Sequence, residues 1–184
     1  MDGNRRYAQG TGQPVIVGHQ HGAQIASNII EWWLRFMPNT AAYTHPGPGP
    51  RYLTVWAFST ENFKRPKEEV DGLFRLMTVH FKGLAFTGLV HLFQMRIRIV
   101  GRREGLPREL LDAIELVEEM TGKYSRLFLQ VAVGYGGRDE IVHSVRSVLA
   151  RGEEVTEDSI GQRTFCSQIG VPPVELIVRT SERR

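Results

Sequence analysis

One cysteine, Cys166, stands in the 184 residues, which excludes an internal disulfide and any site built from several thiolates. A chain so poor in thiol suits a reducing compartment. Long apolar runs are scarce as well. The most apolar stretch, Gly83 to Met95, has no Asp, Glu, Lys or Arg, yet it falls short of the roughly 20 residues a spanning helix needs. It reads as core or pocket wall, with membrane-surface contact as the rarer alternative. There is no block of Lys and Arg, and a formal charge of +3 is a mild excess that fits an anionic ligand without calling for nucleic acid. No Walker loop or dinucleotide glycine spacing occurs, which argues against a nucleotide enzyme. A Gly-x-Ser-x-Gly elbow and a histidine pair with acidic partners are equally absent, so neither a serine hydrolase nor a zinc site is indicated. No secretory leader follows Met1, where Asp2 and a basic turn come at once.

What is present is enough apolar residue, 41%, to bury the core of one domain spanning residues 1–184. Ile25, Ile29, Ile30, Trp33, Leu34 and Met37 recur at helical spacing. The segment from Asn39 to Arg51, with Pro46-Gly-Pro-Gly-Pro50, denies a helix its donors and reads as a surface loop. Tyr52 to Phe58 predicts a strand, and Lys67 to Phe93 predicts a long helical region broken near Gly83 or Gly88. Arg96 to Val100 is a short strand. The next helix begins after Pro107 with Leu110, Leu111, Ile114, Val117 and Met120 inward. Leu127 to Val133 reads as a strand, Gly134 to Arg138 as a turn, and Asp139 to Ala150 as a helix burying Ile141, Val142, Val145, Val148 and Leu149. A further helix lies between Glu157 and Gln168, and Val174 to Val178 is a last strand. Apolar strands alternating with helices predict an α/β fold whose mostly parallel central sheet is flanked by helices on both faces. Both ends read as cut, because Asp2 arrives with no strand to support it and the crossover after Val178 is unfinished.

Three polar loops sit at strand ends, where ligands bind in open α/β sheets. They are Asp2-Gly3-Asn4-Arg5-Arg6, Ser59 to Glu69, and Arg179-Thr180-Ser181-Glu182-Arg183-Arg184. Guanidinium forks match phosphate oxygens two at a time, and one carboxylate suffices for Mg²⁺ when substrate phosphate and water complete its shell. The pattern therefore suits a diphosphate. His19, flanked by Gly18 and Gly22, is placed at a helix start where it can hydrogen-bond a phosphate oxygen, while a surface-loop role is the plain reading for His19 and His21.

Five ordered segments carry a specific resemblance: Met1-Asp-Gly-Asn-Arg-Arg-Tyr-Ala, Gly18-His19 with Gly22, Ala57-Phe-Ser-Thr-Glu-Asn-Phe-Lys-Arg65-Pro, Gly134-Tyr-Gly-Gly-Arg, and Val171-Pro-Pro-Val-Glu-Leu-Ile-Val-Arg179-Thr-Ser. In these the chain resembles the cis-prenyltransferases, with the eukaryotic dehydrodolichyl diphosphate synthases as the closest branch. The resemblance implies Mg²⁺-dependent condensation of isopentenyl diphosphate onto an allylic diphosphate such as farnesyl diphosphate, repeated to a long chain for dolichol. It assigns the metal to Asp2 and makes Asp2 and Asn62 catalytic, Asn62 as proton acceptor. Gly3, Asn4, Arg5, Arg6 and Tyr7 would cradle the allylic diphosphate, with His19 assisting. Ser59, Thr60, Glu61 and Phe63 would surround the isopentenyl group, while Arg65, Arg179 and Arg184 grip its diphosphate and Glu69 orders the loop through an arginine. The product would need a hydrophobic tunnel, lined by residues such as Ile29, Trp33, Leu73, Phe74, Met77, Phe81, Leu84, Phe86 and Leu89.

The same resemblance implies a homodimer or a heteromer with a Nogo-B-receptor-type subunit, and the cytoplasmic face of the endoplasmic reticulum membrane. Alternatives are a non-catalytic partner of a prenyltransferase complex, or a synthase that makes short or cyclised products. The chain departs from the family at Val15, where an arginine is common, and at Glu182, where a glycine is expected. A one-residue gap there would align Arg184 with the family's second arginine.

Overall fold

The computed structural model describes residues 3–35 and 50–179. The expected Pro46 to Pro50 loop falls almost wholly outside them, as do Asp2 and Arg184. Seven α-helices run through the described residues: α1 Asn4–Gly10, α2 Val15–Arg35, α3 Lys67–Phe86, α4 Gly88–Leu92, α5 Arg108–Thr121, α6 Gly137–Ala150 and α7 Glu157–Gly161. Three strands lie between them: β1 Tyr52–Ser59, β2 Met95–Val100 and β3 Leu127–Tyr135. The strands pair in the order β1-β3-β2, all parallel, so the fold is α/β as the apolar runs predict. Register places Leu53 beside Leu129 and Val55 beside Val131, while Ile97 and Ile99 face the same two partners from the other side. One face of the sheet is therefore a continuous aliphatic layer.

That layer is closed by α3 and α5. Phe74, Met77, Phe81 and Ala85 recur at spacings of three and four along α3, and Leu110, Ala113, Ile114 and Val117 along α5; all eight are in the buried core. β2 is a sheet edge among the described residues, and its outward donors are satisfied by α5. Ile97 N–H donates to Thr121 Oγ1 at 3.1 Å and Ile99 N–H to Glu118 Oε1 at 2.9 Å. An edge capped in this way offers no free ladder for another chain.

The β1-β3 ladder is regular to Trp56 and then shifts twice, with Phe58 opposite Val133 and Ser59 opposite Tyr135. Ala57 and Gly134 are the skipped residues, and Gly134 takes φ 64° with its carbonyl accepting from Arg102 N–H. The bulge turns Phe58 into the core in the position alternation would give Ala57. There Phe58 is fully buried and meets Phe63 and Phe74 with ring centroids 5.0 and 5.1 Å apart.

Several expectations fail. Val174 to Val178 forms no strand: these residues are coil with no partner strand among the described residues, and Val174, Leu176, Ile177 and Val178 are exposed. A strand needs a ladder, and apolar sequence alone does not supply one. On α6 only Val148 of the five predicted inward residues is fully buried. Ile141, Val142 and Leu149 are exposed, because the buried stripe instead contains Glu140 and Ser144, which bond the segment after α7. Met120 is 37% exposed at the end of α5. The 134–138 segment is not a free turn, since β3 runs to Tyr135 and α6 starts at Gly137. The 157–168 helix shrinks to α7 and a short 3₁₀ turn. Within Gly83 to Met95, read as core or pocket wall, Ala85, Val90, Phe93 and Met95 are buried and Leu84 and Leu89 line a cavity, while Phe86 and Leu92 are surface residues.

Candidate functional site

Two helices cross at unusually short range to form one side of the site. Gly18 and Gly22 lie one turn apart on α2, and a Cβ at Gly18 would stand 2.2 Å from the Asn4 backbone oxygen. A Cβ at Gly22 would stand 2.3 Å from the Asn4 side-chain amide. Glycine at position 18 lets the α1 backbone lie this close, and glycine at position 22 leaves room for the Asn4 amide. Gly3 caps α1 at φ 89°, a conformation that disfavours any side chain, so the chain enters α1 at a fixed angle. Asn4, Arg5 and Arg6 are thereby held against the first turns of α2.

The opposite wall comes from the turn after β1. Ser59 N–H donates to Asn62 Oδ1 at 2.9 Å, folding the Thr60–Lys64 3₁₀ turn back on its strand. Thr60 fits against the start of α6, where a Cβ on Gly136 would meet Thr60 Oγ1 at 2.3 Å. Phe63 is anchored by Phe58, and α3 follows from Lys67.

Glu69, in the first turn of α3, joins the two walls. Its Oε1 accepts from Arg65 Nη1 at 3.0 Å and lies 3.1 Å from His19 Nε2 and 3.5 Å from Arg5 Nε. The carboxylate is nearly buried, with 10% side-chain exposure, so these contacts are screened less than surface ion pairs. Burial lowers the His19 pKa below its ordinary value, although the hydrogen bond and charge of Glu69 act in the opposite direction. The imidazole is neutral near pH 7. With Nε2–H donating to Glu69, its Nδ1 is an acceptor, so His19 here positions a carboxylate and does not offer a second proton to an anion.

These groups surround the mouth of a cavity of about 800 Å³. Gly3, Asn4, Arg5, Arg6, His19, Asn62 and Arg65 all line it, and its remaining wall is mainly aliphatic. Leu73, Met77, Phe81, Leu84 and Leu89 of the expected tunnel residues are there, joined by Ile30, Leu34 and Val90. Phe74, Phe86, Ile29 and Trp33 are not. Phe74 packs on Phe58, Phe86 faces outward, and Trp33 donates its indole N–H to Pro50 O. A cationic, amide-rich mouth leading to an apolar interior suits an anion bearing a hydrocarbon tail.

Ser59, Thr60, Glu61 and Phe63 support the turn without lining the cavity, and Tyr7 is half-exposed beside the His21 ring. Arg179 lies in exposed coil and does not line the cavity. The sequence reading connected Glu69 to one arginine, and the structure gives it three partners; the recurrence of acceptor and donors at Arg65 and Glu69, four apart on adjoining turns, was the available signal. Gln9, Ser27, Glu31 and His80 also line the cavity and carried no such signal.

The whole chain, residues 1–184, matches the family described as "Putative undecaprenyl diphosphate synthase". An isoprenyl transferase of Thermus thermophilus is 38% identical over 98% of this chain and 68% of its own length. A tritrans,polycis-undecaprenyl-diphosphate synthase (geranylgeranyl-diphosphate specific) of Pyrococcus horikoshii is also 38% identical, over 98% of this chain and 66% of its own. The chain thus spans about two thirds of the length of these relatives. Among solved structures, lavandulyl diphosphate synthase from Lavandula x intermedia, in complex with dimethylallyl diphosphate, superposes with a TM-score of 0.72 at 29% identity, covering 90% of this chain and 68% of that one. A probable undecaprenyl diphosphate synthase of Campylobacter jejuni gives 0.58 at 33% identity over 61% and 54%. With this fold, this cationic mouth and these matches, the chain belongs to the undecaprenyl diphosphate synthase family of cis-prenyltransferases.

Proposed function

We propose that this chain elongates an allylic diphosphate with isopentenyl diphosphate to a long cis-polyprenyl diphosphate of the dolichol-precursor type. The observation that carries this reading is the Glu69 junction, which gathers Arg5, His19 and Arg65 at the mouth of an apolar cavity. Arg5, Arg6 and the α1 N-terminus receive the allylic diphosphate. Arg65, with Arg184 from the closing segment, receives the isopentenyl diphosphate. Mg²⁺ bound by Asp2 and substrate phosphate would supply charge neutralisation to the leaving group; Gly3, bonded to Asp2, lines the cavity. One carboxylate suffices for such an ion when substrate oxygens and water complete its shell.

In the reaction the allylic C–O bond breaks, the isopentenyl double bond attacks that carbon, and a proton leaves to form the new double bond. Asn62 Oδ1 already accepts from Ser59 N–H and has one lone pair left for that proton. An amide is too weak a base to keep it, so the proton ends on the departing diphosphate. The dry apolar wall excludes water from the allylic cation. Mg²⁺ dependence, a homodimer or a pairing with a Nogo-B-receptor-type subunit, and work at the endoplasmic reticulum membrane belong to the same proposal. A shorter product is the second reading, favoured by the likeness to lavandulyl diphosphate synthase.

Incubation with farnesyl diphosphate, labelled isopentenyl diphosphate and Mg²⁺, followed by chromatography of the products, tests both. A ladder of long products supports the first reading, and a single short or branched product the second. Absence of any condensation, with or without a partner subunit, while diphosphate binding is also absent by calorimetry, overturns both in favour of a non-catalytic subunit.

A further inference from the structure

The outer side of α3 is at odds with a helix designed only to be solvated. Arg75, Val79, Lys82 and Phe86 follow at spacings of four, three and four, so they form a single stripe, and all four are exposed. The face opposite holds Phe74, Met77, Thr78, Phe81 and Ala85 in the core. Val79 is 69% and Phe86 66% exposed, and α4 continues the apolar surface with Leu89 and with Leu92 at 69%. Moreover, from Gly72 to Arg103 the sequence contains no Asp or Glu, a span that holds Arg75 and Lys82, whereas Arg102 and Arg103 at its end are paired with Asp139 and Glu118 and add nothing to the stripe. Exposed aliphatic and aromatic groups are here interleaved with cations and free of nearby acids along the chain.

We infer that the outer stripe of α3, continued by α4, docks on an anionic phospholipid surface. Apolar side chains beside Lys and Arg are the composition of a helix lying in the headgroup region, where the long cationic stems let charge reach the phosphates while apolar groups enter the acyl boundary. The stripe also adjoins the hydrocarbon space. Val79, Gly83, Thr87 and Leu89 line the cavity, and Val79 and Leu89 reach the surface as well. This use of the surface rests on the prenyl-transfer reading only in its purpose, which is to pass a water-insoluble product from the cavity wall into a bilayer. A second copy of the chain is a poorer occupant. A twofold contact would bring Arg75 and Lys82 of both copies onto one patch, and Lys is depleted from the centres of protein interfaces.

Flotation of the full chain with phosphatidylcholine vesicles, with and without phosphatidylglycerol, tests the inference, and the measurement needs no turnover. The chain should float with the mixed vesicles, remain largely behind with phosphatidylcholine alone, and lose binding as salt rises. Each cation near an anionic surface is worth about fivefold in partitioning, so Arg75→Glu with Lys82→Glu should weaken binding at least about 25-fold. Phe86→Ser with Leu92→Ser should weaken it at every salt concentration. None of these four residues lines the cavity, so condensation of water-soluble substrates should stay near the wild-type rate. Undiminished flotation of both double variants overturns the inference. Equal flotation with the two vesicle types does so too, as does a dimer in solution that the stripe variants convert to monomer. Flotation with neither condensation nor diphosphate binding, with or without a partner subunit, would sink the enzymatic reading and leave this one standing; condensation without flotation would do the reverse.

Discussion

Gly18→Ala is the sharpest probe of how the diphosphate mouth is built. The new methyl carbon would sit 2.2 Å from the Asn4 backbone oxygen and 3.0 Å from Ala8 Cβ. Carbon–oxygen contacts of this kind settle near 3.3–3.6 Å, so α1 must withdraw by roughly 1 Å. A backbone oxygen cannot rotate away as a side chain can. Overpacking of this size costs about 1–3 kcal/mol, and the better helix propensity of alanine returns up to about 1. The net loss of about 1–2 kcal/mol lowers Tm by only a few degrees in a domain of this size. Function should suffer more, because a misplacement of that order at a reacting centre can cost about a hundredfold. The assay is steady-state condensation of isopentenyl diphosphate with farnesyl diphosphate, combined with amide hydrogen exchange. Faster exchange confined to α1 and a fall of about two orders in kcat/KM are expected, on the same principle. Unchanged exchange across Asn4–Gly10 with kcat/KM close to wild type would refute the close-crossing argument. Gly83→Ala is the internal contrast: nothing stands within 4 Å of its would-be Cβ, so that helix should gain about 0.5–1 kcal/mol by thermal melting.

Glu69→Ala should cost about 2–3 kcal/mol of stability, because Arg65 and His19 each lose a charge-assisted bond of about 1.5 kcal/mol, and chemical denaturation measures it. Glu69→Gln, which keeps the accepting oxygen, should cost less than half of that and still lower activity. The pH dependence of stability follows from His19. Its folded pKa lies below the ordinary 6.5, so the unfolded chain binds the proton first. Stability should therefore be flat above pH 6.5, decline as pH falls below that value and level off beneath the depressed pKa; His19→Gln should remove this component of the urea-midpoint profile. Cys166 is pushed toward the thiol by burial and then by Glu140, so its reaction with a disulfide reagent at pH 8 should be slower than that of a free thiol, and a rate equal to the free thiol's would refute this.

The helices α2, α3 and α5 and all three strands were legible because each buries one face against a partner that the chain supplies nearby, and periodicity reports such faces directly. α6 was misread for the converse reason. Its Ile141, Val142 and Leu149 have no layer above them among the described residues, while the polar Glu140 and Ser144 are buried by bonds to Phe165 N–H and Arg163 O. Periodicity cannot distinguish an apolar face that finds a partner from one that does not. The mouth residues Gly3 to Arg6, His19, Asn62 and Arg65 were legible as motifs and the resemblance implied that they share one pocket, yet the contacts that bring them together were not legible. Those depend on Gly18 admitting the Asn4 backbone oxygen and Gly22 its side-chain amide, and on one carboxylate oxygen meeting two guanidiniums and an imidazole, all of which are relations between distant parts of the chain.

The skipped residue Ala57 has a practical corollary. Because the ladder irregularity seats Phe58 beneath the turn, the direction in which Thr60 to Lys64 projects is decided by the strand before the loop begins. Exchanges at the exposed Glu61 and Lys64 of that pentapeptide should leave its aim alone, since Thr60, Asn62 and Phe63 carry its contacts with the strand and with α6. Deleting Ala57 would swing the whole segment away from its cleft, however faithfully the loop itself were preserved.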